Sequence, residues 1–350
     1  MAVDLAELEE RARRLLTPDV YDYYAGGSGS EQTLRANVSA WQRHWLMPRV
    51  LRDVSTIDTS VCLPGLPETA PATPIAVAPT GFQGLAHSEG EVATARGAAR
   101  AGALMVLSTR SSSKIEDVAE AVAGDGGAWW FQVYVMRDRT LTARLVERAV
   151  AAGARALVLT GDTPVVGRKR RDRTEGVVSD AQVLANIGPL ADLSLTGQAA
   201  DLTFADIDWL ARLGGVPVLV KGVLRADDAR ACVAAGASGV IVSNHGGRQL
   251  DRAVPTALAL PAVAAELGTS VPVFVDGGLR TGADVLTALG LGARAVFLGR
   301  PVLWALACGG ADGVRDLLTG LTSDLAYAMA LAGASALTDV AGVTQSPGSA

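Results

Sequence analysis

The sequence predicts an α/β fold: a TIM barrel of eight parallel strands, preceded by a helical cap. From about residue 74 onward, short runs rich in β-branched and aromatic residues alternate with alanine-rich segments of helical period. The helical segments supply the crossovers that parallel strands need. Polar or reactive residues end nearly every strand, as they do where barrel enzymes build a site from strand-end loops. A doubly wound sheet, the competing prediction, does not explain these strand ends.

The elements can be bounded in order along the chain. The strand candidates are Pro74–Pro79, Ala103–Ser108, Trp130–Tyr134, Ala156–Gly161, Pro217–Lys221, Gly239–Ser243, Pro272–Asp276 and Ala295–Gly299. Helical period is clearest in Glu89–Ala101, Thr140–Ala152, Ala226–Ala235 and Gly282–Leu291.

The predicted domain organisation follows from these elements. The barrel is expected to span residues 74–337, including a polar, lid-like connection at 172–205, because connections of that length are usually functional or disordered. Residues 1–73 are expected to form an N-terminal cap, in which the aromatic turn Tyr21–Gly27 lends side chains to the site. Residues 338–350 are expected to form a C-terminal tail that is loose at its end.

Composition excludes several classes of function. A chain of 350 residues with 49% hydrophobic content can bury a large core, although composition does not decide between one barrel and two domains. A net charge of −5 leaves no basic face for nucleic acid. Cys62, Cys232 and Cys308 lack metal-ligand spacing, so we expect no metal site, no disulfide framework and a reducing cytoplasm. The charged segment Met1–Leu16 is no signal peptide, and no apolar run is long enough to predict a membrane span.

The stretch Ser243–Asp251 carries the most specific signal. His245 and Arg248 lie three residues apart on a glycine-hinged turn after the sixth strand, an arrangement that suits a base working beside a bound carboxylate. Gly246 and Gly247 let the backbone turn sharply and approach a ligand. The alternative is a buried histidine next to a surface arginine.

Two charged residues at other strand ends fit the same site. Asp162 follows the fourth strand, where a carboxylate can stabilise an imidazolium at the barrel mouth; a plain helix cap is the alternative. Lys221 closes an apolar strand, and a buried lysine is costly without a partner. A surface position or a structural ion pair is therefore the alternative for Lys221.

The remaining strand ends predict contacts to a phosphate and to a planar ring. Glycines and arginines follow the seventh and eighth strands, where TIM barrels commonly bind phosphate. The residues concerned are Gly277, Gly278, Arg280, Gly299 and Arg300, together with Asp276 at the end of the seventh strand. The first strand ends in a turn that can lie flat against a ring, at Ala78, Pro79, Thr80 and Gly81, although an ordinary βα turn is the alternative. Ser108, Gln132, Tyr134 and Thr160 end the next three strands, and each taken singly is more often a satisfied polar residue.

Together these segments resemble the FMN-dependent 2-hydroxy acid oxidases and dehydrogenases, the family of glycolate oxidase, lactate oxidase, mandelate dehydrogenase and hydroxymandelate oxidase. The resemblance covers nearly the whole chain, from Tyr21–Ala25 through Ala86–Glu91 and Gly161–Pro164 to Gly299–Pro301. It implies an FMN cofactor, a small 2-hydroxy acid oxidised to the 2-oxo acid, electrons passed to oxygen or another acceptor, and a homo-oligomer, with a tetramer typical of the family.

The resemblance also implies a role for each strand end. His245 acts as the base, paired with Asp162, while Tyr134 faces the substrate. Arg248 binds the substrate carboxylate, assisted by Arg168 or Tyr23. The flavin-facing residues are Ala78, Pro79, Thr80 and Gly81 against the ring, Ser108, Gln132 and Thr160 at its edge, Lys221 against N1 and O2, Ser243 beside them, and Asp276, Gly277, Gly278, Arg280, Gly299 and Arg300 towards the phosphate.

Departures from the family pattern concern the substrate side. Arg110 stands where the glycolate oxidase pattern has a substrate-facing tryptophan, and it favours a substrate with a polar distal group unless it swings out to solvent or pairs with an acid. Lys169 takes the second place of a usual Arg-Arg pair, and Gly81 the place of a frequent alanine. The loop after Asp172 is shorter than usual.

Two functional alternatives remain at this point. One is a flavin barrel of another class, an isomerase or an oxidative decarboxylase or monooxygenase. The other is a flavin-binding protein whose catalytic site has decayed.

Overall fold

Eight parallel strands close into a barrel in the order of the chain, each pairing with the next and the last with the first. This computed structural model describes residues 4–68, 72–171, 178–179, 182, 185–187 and 196–345. The barrel strands are β2 (Ile75–Val77), β3 (Met105–Ser108), β4 (Trp129–Val133), β5 (Leu157–Thr160), β6 (Val218–Val223), β7 (Gly239–Val242), β8 (Val273–Asp276) and β9 (Ala295–Leu298). The predicted TIM barrel is confirmed, and the predicted strand ends lie within two residues of those observed.

Helices precede the barrel and surround it. Those before it are α1 (Leu5–Leu15), α2 (Pro18–Ala25) and α3 (Gln32–Trp41). Those around it are α4 (Gly90–Arg100), α5 (Ile115–Gly124), α6 (Arg139–Ala151), α7 (Ala205–Gly214), α8 (Ala226–Ala234), α9 (Thr256–Leu267), α10 (Gly282–Gly290) and α11 (Arg300–Ala332). A short antiparallel pair, β1 (Trp45–Leu46) with β10 (Thr344–Gln345), joins the segment after α3 to the segment after α11. Helix α11 bends at Gly309–Gly310, where the backbone leaves helical geometry.

Aromatic side chains fill the barrel interior. Trp130, Phe274 and Phe297 are at most 1% exposed, and the Trp130 ring meets the Phe274 ring edge-on, with 5.8 Å between centroids. Val61 and Ala72, which pair with each other, belong to the same buried cluster. Because the interior is packed, space for a ligand lies at the carboxyl ends of the strands, as is usual for this fold.

The segment before the barrel reaches that end through α3. The side chains of Asn37 and Asn244 donate to each other, with N···O distances of 2.8 and 2.7 Å. The Trp41 indole donates to the carbonyl of Gly277 at 2.8 Å. Helix α3 therefore supports the strand-end loops after β7 and β8.

The predicted lid-like connection at 172–205 falls largely on residues outside those described. Within its described part, 196–199 runs beside the end of β4: the Arg137 amide donates to Gly197 at 2.9 Å, and the Ala199 amide donates to Val135 at 2.8 Å. These bonds bring 196–199 to the barrel mouth. Of the predicted tail, 346–350 lie outside the described residues. No helix within the described ranges is long and apolar enough to span a bilayer.

Candidate active site

A cavity of about 460 Å³ opens at the carboxyl ends of the strands. Most residues singled out from the sequence line it: Tyr23, Ala78, Pro79, Thr80, Gly81, Ser108, Arg110, Gln132, Tyr134, Thr160, Lys221, His245, Arg248, Asp276, Gly277, Gly278, Arg280, Gly299 and Arg300. Asp162 and Ser243 do not line this cavity, but they hydrogen-bond to side chains that do. Arg168 lies outside it.

His245 is held between a carboxylate and a phenol. Its Nδ1 lies 3.0 Å from Asp162 Oδ1, and its Nε2 lies 3.2 Å from the Tyr134 hydroxyl. Burial opposes ionisation of Asp162, but His245 and then Lys221 lower its pKa below the ordinary value. A proton on Nδ1 therefore donates to the Asp162 carboxylate, which leaves Nε2 as an acceptor at the cavity. Burial raises the pKa of Tyr134, and Asp162 raises it further, so that its phenol stays protonated.

The turn that carries His245 adopts left-handed backbone geometry. His245 has φ 59°, an uncommon value for a residue with a side chain, and Gly246 and Gly247 follow with φ 61° and 74°. The amides of His245 and Ser28 stabilise the turn by donating to Ser243 Oγ at 3.0 Å and to the Gly247 carbonyl at 2.8 Å. Backbone strain of this kind is often found at functional sites.

Lys221 is a buried ammonium with a carboxylate partner. It is 4% exposed, lies 2.8 Å from Asp276 Oδ2 and donates to Ser243 Oγ at 2.8 Å. The ion pair foreseen as the alternative for Lys221 is therefore present, and the same ammonium lines the cavity. An ammonium has three donors, so one remains after these two contacts.

A row of buried polar side chains crosses the ends of β3, β4 and β5. Ser108 Oγ donates to Gln132 Oε1 at 3.1 Å, and Gln132 Nε2 donates to Thr160 Oγ1 at 2.9 Å. The three side chains satisfy one another and form a polar wall along one side of the cavity.

Two arginines lie at the ends of β8 and β9. Arg300 donates to the carbonyls of Tyr24, Gly246 and Gly26, each at 2.9 Å. Among the described residues, the Arg280 guanidinium donates to the Leu279 carbonyl at 2.9 Å, and its backbone amide donates to Asp284 at 2.8 Å. Neither forms a salt bridge with a carboxylate in the part of the chain that the structure describes. Burial, then Arg248 and Arg280, lower the pKa of Arg300 to about 9. Two guanidinium groups without a salt-bridge partner among the described residues favour a bound anion.

Gly278 is required by the close approach of α3 to this loop. It has φ 90°, and a Cβ there would lie 2.1 Å from the Asn37 carbonyl oxygen. Its neighbour Gly277 has φ 91°. A side chain at Gly278 would push α3 away from the arginine-bearing end of the cavity.

Comparisons with known proteins identify the family. Residues 12–345 match the FMN-dependent dehydrogenase family. The chain is 43% identical to an L-lactate oxidase of Nostoc sp. over 97% of this chain and 96% of that protein. It is 42% identical to a 4-hydroxymandelate oxidase of Amycolatopsis orientalis, covering 95% and 94% of the two chains. A crystal structure of mandelate oxidase superimposes with a TM-score of 0.89 at 42% identity, covering 97% of both chains.

The chain belongs to the FMN-dependent dehydrogenase family. It is an enzyme that uses FMN to oxidise a 2-hydroxy acid, and the predictions of FMN and of this reaction class are confirmed. The alternative of another class of flavin barrel is not supported by these matches.

The substrate end of this FMN-dependent enzyme differs from the sequence-based expectation at Arg168. Arg168 is exposed and lines a neighbouring cavity, while Lys169 lines the main one. Lys169 forms a β-bridge with Ser28, and successive side chains of such an extended segment point to opposite sides. The expected contact of Arg168 with the main cavity is therefore not found, and Lys169 contacts the cavity in its place.

Arg110 points into the cavity. Its Nη2 donates to the Thr196 carbonyl at 2.8 Å, and burial lowers the pKa of the guanidinium. It forms no salt bridge within the described ranges, so neither of its expected alternatives, solvent exposure or an acid partner, is seen. A Cβ at Gly81 would lie 2.9 Å from Arg110 Cβ, which shows that the missing side chain of Gly81 accommodates the Arg110 loop.

Sequence reasoning missed several residues of the site. Gln198 lines the cavity, and its Oε1 is buried without a hydrogen-bond partner among the described residues. Gln198 lies in a long polar connection, and no periodic pattern there predicts which side chains face the cavity. Asn37 also lines the cavity, and the regular helical pattern around it gave no sign of its pairing with Asn244.

Proposed function

We propose that His245 is the base of this FMN-dependent 2-hydroxy acid oxidase and that Arg248 binds the substrate carboxylate. The observation that carries the proposal is the orientation of His245, with Nδ1 on Asp162 and Nε2 at the cavity beside Tyr134. Arg248 lines the same cavity and lies over the Tyr23 ring, 5.2 Å from its centroid. Its Nη1 bonds the carbonyls of Tyr23 and Gly26 at 2.7 and 3.0 Å, which leaves other N–H groups for a carboxylate.

The residues present fit FMN. Asp276 Oδ1 is buried and has no hydrogen-bond partner among the described residues, so it can accept from a ribityl hydroxyl. Arg280, with Arg300 beside it, offers guanidinium donors to the phosphate. Ser108, Gln132, Thr160 and the turn Ala78–Gly81 would face the ring. Lys221, oriented by Ser243 and Asp276, would place its charge where electron density grows on reduction.

Bound FMN supplies the acceptor for two electrons from the substrate. His245 Nε2 takes up a proton from the substrate as the 2-oxo acid forms, and the Asp162 carboxylate stabilises the resulting imidazolium at Nδ1. The neutral Tyr134 phenol turns its proton from His245 Nε2 to a substrate oxygen, which frees Nε2 to take up the substrate proton. Arg248, with Tyr23 and Lys169, orients the carboxylate and keeps the reacting carbon near the base.

The substrate that fits this site best carries a polar distal group. The Arg110 guanidinium lines the cavity, as does the Gln198 carbonyl oxygen, which has no hydrogen-bond partner among the described residues. A purely aliphatic substrate would leave both poorly paired. Mandelate oxidase has been crystallised with benzoyl-formic acid, and the present chain presents a cation and an amide in its own cavity.

The cellular setting belongs to the proposal as well. Cys62, Cys232 and Cys308 are free thiols, which supports a reducing compartment such as the cytoplasm, although one relative of the chain is a peroxisomal (S)-2-hydroxy-acid oxidase of rice. We expect a homo-oligomer, of which a tetramer is the specific form proposed, and light scattering of the purified protein measures it directly.

Anaerobic addition of 2-hydroxy acids to the purified yellow protein tests the function. A good substrate bleaches the flavin absorbance, and the 2-oxo acid appears in equal amount. Subsequent admission of oxygen should restore the flavin and form peroxide. A panel in which no 2-hydroxy acid bleaches the flavin would contradict the proposal, and release of carbon dioxide in place of the 2-oxo acid would favour an oxidative decarboxylase.

A further inference from the structure

A buried glutamine links the turn after β2 to helix α4. Gln83 is 1% exposed, and Thr94 on α4 is fully buried. Gln83 Nε2 donates to Thr80 Oγ1 at 2.9 Å and lies 3.3 Å from the Thr80 carbonyl oxygen. Its Oε1 accepts from Thr94 Oγ1 at 2.6 Å. The three side chains form one chain of hydrogen bonds that ends at the cavity, which Thr80 lines and which Gln83 and Thr94 do not.

The hydrogen-bond partners of the Gln83 side-chain amide determine the positions of its nitrogen and its oxygen. With the amide reversed, its oxygen would face the Thr80 carbonyl oxygen, two acceptors with no proton between them. In the orientation observed, the amide nitrogen donates to both oxygens of Thr80 and the amide oxygen receives the Thr94 hydroxyl. The direction of donation therefore runs from Thr94 to Gln83 and from Gln83 to Thr80.

A second buried group fixes the backbone of this glutamine. Glu91 is fully buried, and its Oε1 accepts from the amides of Gln83 and Ser112 at 2.9 Å each. Its Oε2 accepts from the hydroxyls of Ser112 and Ser113 at 2.7 and 2.9 Å. Gln83 is thereby held at both its backbone and its side chain.

We propose that Gln83 is a positioning residue that fixes the Thr80 hydroxyl as a hydrogen-bond donor toward the isoalloxazine ring of FMN. Because the Thr80 oxygen already accepts from Gln83, its single proton turns away from the glutamine and toward the cavity. The ring has acceptor atoms along its edge, so a hydroxyl set in this way stabilises the bound flavin without reorienting. This inference rests on the proposed placement of the Ala78–Gly81 turn against FMN.

A double-mutant cycle measured on FMN affinity tests the inference. Gln83→Met preserves side-chain length and removes the donor, and Thr80→Val removes the hydroxyl. We expect each to weaken FMN binding to the apoprotein about three- to tenfold, the effect of one lost hydrogen bond. The double variant should be no more than about twofold weaker than Thr80→Val, because Gln83 acts through the hydroxyl. The absorbance maximum and the midpoint potential of the bound flavin should show the same lack of additivity.

Thr73→Val is the matched control. Thr73 shares a 2.8 Å hydrogen bond with Thr322 at the opposite end of the barrel, so its loss should leave FMN affinity unchanged. If Gln83→Met does not give a folded apoprotein, Thr94→Val replaces it in the cycle. Thr94→Val removes only the hydroxyl that donates to the Gln83 amide oxygen.

Three results would overturn the inference: an unchanged FMN affinity in Gln83→Met, an unchanged affinity in Thr80→Val, or effects of the two that multiply fully. A wild-type apoprotein that does not bind FMN at all would instead contradict the proposed function itself.

Discussion

The flavin side and the substrate side of the cavity are built in different ways. On the flavin side, Asp276–Arg280 and Gly299–Arg300 follow directly from their strands, and α3 closes against them through Trp41. On the substrate side, Arg110 depends on Thr196 and Lys169 on Ser28, partners that lie far away in the chain. The residues of the cofactor end are thus placed by short motifs that follow the strands and are then held by distant contacts with α3 and with Tyr24 and Gly26. At the substrate end, contacts between distant segments place the residues themselves.

The two sides also differ in electrostatics. Burial, then Arg248 and Arg280, lower the pKa of Arg300 to about 9. Such a cluster is stabilised by a permanent anion, as a phosphate would be. The pKa of Arg110 is lowered by burial, and no other cation in the described part of the chain contributes to this shift. Its proposed partner is the substrate, which arrives and leaves with each turnover.

The largest expected effect is on the substrate side, where His245→Ala removes the proposed base. His245→Ala should leave a folded yellow protein, since His245 lies outside the phosphate end, and should slow flavin reduction by about 10²- to 10⁴-fold, the usual contribution of a general base. Stopped-flow absorbance under anaerobic conditions measures the rate, and the FMN content of the purified variant is the control. Near-normal reduction with the best substrate would remove His245 from its proposed role.

The next largest effect is expected on FMN retention, when either arginine of the flavin side is replaced. Arg280→Ala should weaken FMN retention by about 10- to 100-fold, because charge-assisted hydrogen bonds contribute roughly 1.5–3 kcal/mol. Arg300→Ala should weaken it too and, unlike Arg280→Ala, should lower the Tm of the apoprotein, because Arg300 also holds the carbonyls of Tyr24, Gly26 and Gly246. Dialysis followed by absorbance gives the occupancy. Full occupancy in both variants would place the phosphate elsewhere.

Lys169 and its neighbour Arg168 offer a matched pair of substitutions, because only Lys169 lines the main cavity. Lys169→Met should raise the KM for the 2-hydroxy acid about tenfold, as expected for loss of one charged contact. Arg168→Met should change it by less than about twofold, because Arg168 is exposed and lines the neighbouring cavity. Steady-state kinetics with one substrate decide between them, and the reverse ranking would return Arg168 to the role that the family resemblance implies.

This pair also shows how far the sequence could predict the site. Barrel strands and most cavity residues follow from periodicity and from what ends each strand, both of which are local. The choice between Arg168 and Lys169 is not local, because it depends on the bridge between Lys169 and Ser28, about 140 positions away in the chain. Gln198 was missed for the same reason, since its position is set by pairing with Met136.

The smallest expected effect concerns the distal end of the substrate, where Arg110 and Gln198 distinguish this chain. Arg110→Trp restores the tryptophan of the glycolate oxidase pattern and removes a donor worth about 1 kcal/mol to a polar group, which corresponds to about fivefold. The preference in kcat/KM for a 2-hydroxy acid with a distal polar group over its aliphatic counterpart should fall by about that factor.

Gln198→Leu supplies the comparison, because it removes the side-chain carbonyl oxygen of Gln198 and keeps the Arg110 cation. If Arg110 and Gln198 serve the same group, Gln198→Leu should reduce the preference for distal groups that donate, such as a hydroxyl, and should spare those that only accept, such as a second carboxylate. Arg110→Trp should affect both kinds. A preference that neither substitution alters would mean that the substrate ends short of these two side chains, and that specificity lies with the groups nearer His245.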